Sequence, residues 1–246
     1  MKENADILAD PVLKILNCSY SECHFPQAWK EADIVPIPKQ NPVRDINKHL
    51  RPVSLTSTVS KIAEDFVVED FIKPAVLKKI DKNQFGSIPK SSTTHALISM
   101  LHKWNSQTDG SGSTVRVVLF DFKKAFDLID HAVLIRKLLT FDIPHRIIEW
   151  TVSFLQNRKQ RVKLSQDCYS EWGTVPAGVP QGTKLGPWLF AVMINDLDVT
   201  DTDLWKYVDD TTISENVYKQ ETSTIQSRVD ELTRKSIADK FQLNED

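Results

Sequence analysis

The chain has 246 residues, 31 Lys and Arg against 33 Asp and Glu for a formal charge of −2, and 41% hydrophobic and 26% charged residues. That balance suits one large domain or two small ones with a real core, and it excludes collagen-like repeats and a mostly disordered chain. No apolar run approaches the roughly 18–20 residues that cross a bilayer, and Met1-Lys2-Glu3-Asn4 opens without a signal peptide's apolar middle, so the expectation is an intracellular protein with no membrane contact. The near-zero charge excludes a uniformly basic nucleic-acid glove; any such binding must come from local charge.

In chain order, Leu8 to Leu16 has helical apolar spacing, and Val59 to Leu77 reads as a longer amphipathic helix interrupted near Pro74. The three cysteines are unpaired in spacing, and Cys18, Cys23 and His24 lack the fourth ligand that a structural zinc site requires. A further helix is expected over Ser92 to Trp104, then a polar loop at Asp109 to Ser113. Val115 to Phe120 is apolar at nearly every position and predicts a strand buried on both faces. Helices follow over His131 to Leu139, with Asp130 as N-cap, and over Pro144 to Leu155. Gln160 to Leu164 alternates like a hairpin strand, and Gly182 to Leu197 suits a Gly-led turn and a helix. Leu204 to Val208 and Thr211 to Ser214 are short strands around Asp209-Asp210. Ile225, Val229 and Leu232 mark a last helix. Strands and helices without strict alternation indicate an α+β fold.

Acidic residues stand at the ends of apolar strands: Asp121 after Val-Val-Leu-Phe, and Asp209-Asp210 after Trp-Lys-Tyr-Val. Carboxylates that converge at a sheet edge supply the hard oxygens that Mg²⁺ prefers, and a pair of such ions can serve an in-line phosphoryl displacement. Asp-Asp is also an ordinary hairpin turn. The run Arg158-Lys159-Gln160-Arg161-Val162-Lys163 holds cations and no acid, and alternation puts Arg161 and Lys163 on one strand face. Such a patch can follow a phosphate backbone; a solvated hairpin is the plainer reading.

The company of the acids decides between these readings. Phe120-Asp121-Phe122-Lys123-Lys124-Ala125-Phe126-Asp127, Gly178-Val179-Pro180-Gln181-Gly182-Thr183-Lys184-Leu185-Gly186-Pro187 and Tyr207-Val208-Asp209-Asp210 resemble, in order and wording, motifs A, B and C of the reverse transcriptases of non-LTR (LINE-type) retrotransposons. Upstream, Trp29 to Lys39, Leu50 to Leu55 and Gln84-Phe85-Gly86 look like that family's finger segments. The resemblance implies a right-hand polymerase fold with fingers and palm only, the palm an antiparallel sheet backed by helices and the thumb absent. By it, residues 1–28 form a helical extension, 29–112 the fingers, 113–140 the first part of the palm, 141–175 an inserted helix and hairpin, and 176–246 the rest of the palm.

By the same resemblance, Asp121, Asp209 and Asp210 are the catalytic acids that ligate two Mg²⁺ ions, with Mn²⁺ as a substitute. Phe126 would sit under the incoming sugar and exclude a 2′-hydroxyl. Gln181 and Gly182 would contact the nucleotide and template, and Lys39 and Arg51 would clamp the triphosphate. Arg158, Lys159, Arg161 and Lys163 are the candidate nucleic-acid contacts; Asp127 and Asp130 read as helix caps. The implied partners are an RNA template, a DNA primer and deoxynucleoside triphosphates, and the implied location is the nucleus. Lys240 to Asp246 resembles the approach to motif D, which stops ahead of that motif's lysine. A folded but non-catalytic retroelement remnant is therefore the alternative to an RNA-directed DNA polymerase. Two departures stand out: Lys90 where relatives place an Arg, and Val208 where many place Ala.

Overall fold

Two β-sheets are assembled here from segments far apart in sequence, in a computed structural model that describes residues 4–110 and 112–244. Met1–Glu3, Ser111, Glu245 and Asp246, which belong to the opening segment, the polar loop and the terminal stretch read above, lie outside the described residues.

The first sheet has four strands in the order β2-β1-β4-β5, where β1 is Glu31–Pro38, β2 Leu50–Leu55, β4 Arg158–Val162 and β5 Gly173–Val175. β1 pairs antiparallel with β2 and parallel with β4, but β4 reaches only Glu31 to Ile34. Pro36 and Pro38 therefore fall where β1 has one neighbour only, and Pro52 sits on the edge strand β2, places where a missing N–H breaks no ladder. The second sheet is antiparallel throughout, in the order β3-β7-β6, with β3 Thr114–Phe120, β6 Asp203–Tyr207 and β7 Asp210–Val217.

Helix α1 (Ala5–Ser21), α6 (His131–Leu138), α8 (Gly186–Ile194) and α9 (Ile225–Ala238) cover the expected segments, and a short α2 (Ile46–His49) precedes β2. Asp130 caps α6 by accepting the Val133 N–H at 3.0 Å. Pro144 is the N-cap of α7 (His145–Leu155) rather than its first residue. The long helix read over Val59 to Leu77 is α3 (Thr58–Val67), a π-turn over Val68–Ile72 and α4 (Lys73–Lys79). The irregularity thus precedes Pro74, whose missing N–H is harmless in the first turn of α4.

The apolar core gathers around α8, where Leu189, Phe190, Met193 and Ile194 are all essentially inaccessible and which packs on α4 and α6. Phe25 meets Trp150 and Phe154 of α7 edge-on, each at 5.1 Å, and so ties the N-terminal segment to the same core. Helix α5 (Thr93–Thr108) lies across one face of the second sheet: Trp104 Nε1 donates to Ser214 Oγ and Trp205 Nε1 to Ser99 Oγ, both at 3.0 Å.

Two expectations are corrected, for β3 and for Arg158, and the hairpin between them gains its place. β3 is an edge strand, with Leu119 78% exposed; its β-branched run reports strand preference rather than depth. The hairpin of β4 and β5, read as inserted between the two parts of the palm, completes the sheet of β1 and β2. Arg158, expected on a nucleic-acid surface, is buried at 3% exposure, donating to Phe154 O at 3.1 Å with its guanidinium 4.9 Å from the Phe154 ring.

Alternation along β4 is the reason for the last correction, since neighbours point to opposite faces. Arg158 turns inward and Lys159 outward. Arg161 and Lys163 do share a face, where both lie over the Tyr169 ring; Arg161 also lies against Trp172 at 4.6 Å and binds Asp33 at 2.8 Å. Burial lowers the Arg158 guanidinium to about 10 against the pull of Glu64, so it remains charged at neutral pH. Because removing one buried charge strands the other, Arg158→Ala is expected to cost about 3 kcal/mol in urea unfolding, against less than about 0.5 kcal/mol for Lys159→Ala. Equal small losses would contradict the buried role.

Candidate active site

Strand register collects the acids. Phe120 of β3 stands opposite Thr211, and Tyr207 of β6 opposite Asp210 of β7. Asp121, the next residue after β3, and Asp210 therefore share one end of the sheet, with Asp209 in the two-residue turn between β6 and β7. Val208 begins that turn at φ +57°, a left-handed conformation that a β-branched side chain resists at a cost of about 1–3 kcal/mol.

The surroundings hold the turn in place. Residues 83–86 run beside β6, where Lys206 N–H donates to Asn83 O at 2.9 Å and Phe85 N–H to Lys206 O at 2.8 Å. Gly86 is required at the contact, because a Cβ there would lie 2.2 Å from Val208 N. Beneath the turn the buried Lys206 ammonium donates to the carbonyls of Ile194, Asn195 and Leu197 and pairs with Asp81 at 2.8 Å. β6 is thereby fastened to the C-terminal end of α8.

The three carboxylates share one field. Burial pushes Asp209 above the usual carboxylate range and Asp121 adds to that, while Lys39 and Arg51 pull it back. Asp210 is raised by burial and then by the negative charges of Asp209 and Asp121. Lys39 and Arg51, from the β1–β2 hairpin where Arg51 pairs with Ile37, thus both lower the carboxyl of Asp209. Among the described residues no three His, Cys, Asp or Glu side chains are gathered closely enough to form a metal-holding group. In donor chemistry the three carboxylates are the hard oxygens that Mg²⁺ takes one or two at a time, completing its shell from water and substrate phosphates.

Gln181 and Gly182 border the same region. Ser54 N–H donates to Gln181 O at 2.8 Å, and Gly182, at φ +104°, packs where a Cβ would come 2.8 Å from Ser54 O. A cavity of about 320 Å³ lies between this loop and the first sheet, lined in part by Lys124, Asp127, Lys159 and Gln181. Phe126 is half-buried and stacks on Phe190 of α8 with ring centroids 4.5 Å apart. Asp127 is not a helix cap: its Oδ1 accepts the Gln181 amide at 3.1 Å, and burial raises its carboxyl against the pull of that bond, Lys124 and Lys39. The larger hollow, about 930 Å³ and ringed by Lys103, Asp203, Asn216 and Arg228, is at the opposite end of the β6–β7 hairpin.

The family model described as "Reverse transcriptase (RNA-dependent DNA polymerase)" matches residues 37–246. The chain belongs to that family. It is 31% identical over 202 residues to the "Probable RNA-directed DNA polymerase from transposon BS" of Drosophila melanogaster, covering 79% of this chain and 22% of the relative. With the "RNA-directed DNA polymerase from mobile element jockey" of the same species it shares 30% over 222 residues, 84% of this chain and 24% of the relative. The reverse transcriptase domain thus spans about a quarter of the length of these curated relatives. Among solved structures, Candida tropicalis telomerase in complex with a TWJ fragment of telomeric RNA aligns with a TM-score of 0.61 at 13% identity, over 96% of this chain and 43% of that one, which shows a shared fold.

Sequence reasoning missed Glu64, although a Glu on the same helix face as Ala63 and Val67 is a signal in itself. It is fully buried on α3, accepts Ser60 Oγ at 2.7 Å, and receives the N–H groups of Lys184 and Leu185 at 2.8 and 3.2 Å. The loop after Gln181-Gly182 is thereby anchored in this reverse transcriptase domain. Burial raises the Glu64 carboxyl above its unfolded value despite those bonds and the charge of Arg158. A raised folded pKa gives stability that is complete below the unfolded value and is lost as pH rises through the folded one. Glu64→Gln keeps the shape without the titration. Its stability relative to the unmodified protein is therefore expected to rise with pH above about 4.5, by at most about 1.4 kcal/mol per pH unit, in urea melts from pH 4 to 8. A flat difference would show that Glu64 does not titrate there.

Proposed function

We propose that this domain catalyses RNA-directed DNA synthesis, the activity named for its relatives. The observation that carries the reading is the meeting of Asp121, Asp209 and Asp210 at one sheet end, in the field of Lys39 and Arg51. In this reading the β3-β7-β6 sheet with α5, α6 and α8 is the palm, and the β2-β1-β4-β5 sheet belongs to the fingers. RNA template, DNA primer and deoxynucleoside triphosphate would lie between the two sheets, along the cavity beside Gln181.

The reaction forms a bond from the primer 3′-oxygen to the α-phosphorus and breaks that phosphorus's bond to pyrophosphate, with the hydroxyl proton passing to solvent. Asp121 and Asp209, with Asp210 beside them, would hold two Mg²⁺ ions, or Mn²⁺, whose chemistry is to acidify the hydroxyl and offset charge on the leaving group. Lys39 and Arg51 neutralise the triphosphate, for which a guanidinium fork is well shaped. Gln181, held by Asp127, orients the nucleotide or template. Phe126 is backed by Phe190, so its ring is a firm wall against a 2′-hydroxyl. Lys159 and Lys163, rather than Arg158, are the cations left to meet a phosphate backbone.

Primer extension on an RNA template with Mg²⁺ tests this. Asp209→Asn is expected to reduce extension by about 10³-fold or more while the fold is retained by circular dichroism. Extension that is equal in the two proteins would overturn the assignment. The wall has its own test in the same assay: Phe126→Val should raise ribonucleotide incorporation relative to deoxynucleotide incorporation by about 10-fold or more, the scale of a clash worth about 1.4 kcal/mol. An unchanged ratio would return Phe126 to the core.

A further inference from the structure

After α9 the chain turns back along the residues that follow β3. Lys123 N–H donates to Gln242 O at 2.8 Å, Phe122 and Leu243 form an antiparallel bridge, and Asn244 N–H donates to Asp121 O at 2.9 Å. The Phe241 ring packs on Phe122 with centroids 4.9 Å apart. Main-chain bonds and this ring pair thus fix the Asn244 backbone without help from its side chain. From that position Asn244 Nδ2 donates to Asp121 Oδ2 at 3.0 Å.

An ionised carboxylate only accepts, so the amide nitrogen is the atom that faces it. Asp121 is exposed. Left alone, its side chain would turn away from the negative field of Asp209 and Asp210. The amide holds one oxygen, and the other, Oδ1, has no hydrogen-bond donor among the described residues. We infer that Asn244 is a positioning residue for divalent-cation binding: by holding Asp121 Oδ2 it leaves Oδ1 set to take a cation beside Asp209. The inference rests on the reading of Asp121 as a metal ligand given above. Groups that orient metal-binding carboxylates typically account for about 10–100-fold in affinity.

The test titrates Mn²⁺ into the protein and follows the free Mn²⁺ signal by electron paramagnetic resonance, with metal-free thermal melts run alongside. Asn244→Ala is expected to weaken Mn²⁺ binding by about 10–100-fold and to leave the metal-free melting temperature within about 2 °C, because the backbone bonds to Lys123 and Asp121 survive. Asp121→Asn, as reference, should abolish the same binding. Unchanged Mn²⁺ affinity in Asn244→Ala, with binding lost in Asp121→Asn, would overturn the inference and leave the polymerase reading standing. A fall in affinity matched by a fall in the metal-free melt would also overturn it, in favour of a packing role. Wild-type protein without saturable Mn²⁺ binding would remove the metal-site reading itself and the inference with it.

Discussion

The two-residue turn between β6 and β7 is the constraint on which the site depends. Pairing Tyr207 directly with Asp210 leaves Val208 and Asp209 no extended conformation, and Val208 takes up the left-handed one at φ +57°. Nothing in the local chain favours this, since Val is poorly suited to it. The compensation comes from outside: residues 83–86 bond to Lys206 from the side, and the Lys206 ammonium binds the end of α8 from below. With the turn fixed, the pairing of β3 with β7 brings Asp121 alongside, and the electrostatic character of the site follows.

Buried charges perform the same service for the loops around that turn. Glu64 satisfies two N–H groups in the loop from Gln181 to Gly186, which would otherwise be left without partners ahead of α8. Lys206 answers three carbonyls near the far end of the same helix. α8 is therefore held at both ends by buried polar side chains carried on other elements, and it is the helix around which the core gathers. A buried charge contributes little net stability, but each of these adds a fixed polar anchor to a loop that Leu185 or Leu197 already ties to the core.

The parallel pairing of β1 with β4 gives the first sheet its place. β4 follows α7, which is locked to the core through Trp150 and Phe154, so β1 and the hairpin it forms with β2 are carried to the side of the acids. This is how Lys39 and Arg51, 170 and 158 residues from Asp209 in sequence, come to oppose its negative field. The hairpin of β4 and β5 is stiffened by Arg161 between Tyr169 and Trp172, and Lys159 is the exposed cation of β4.

Much was legible from residue order alone. Helical spacing, the Asp130 cap and the strands around Asp209-Asp210 are local properties, and local chemistry decides them; the motif wording around Asp121, Gln181 and Asp209 likewise pointed to the family. Depth was not legible, because the apolar run of β3 reads the same on an edge strand as in a sheet interior, and because Arg158 and Lys159 differ only in which face of β4 they occupy. Nor could the partners of Glu64, Asp127, Lys206 and Asn244 be read. Each binds a group between 54 and 125 residues away, or across a turn to another element. Residue type settles which groups can donate or accept; only the packed sheets and helices decide which of them come within 3 Å.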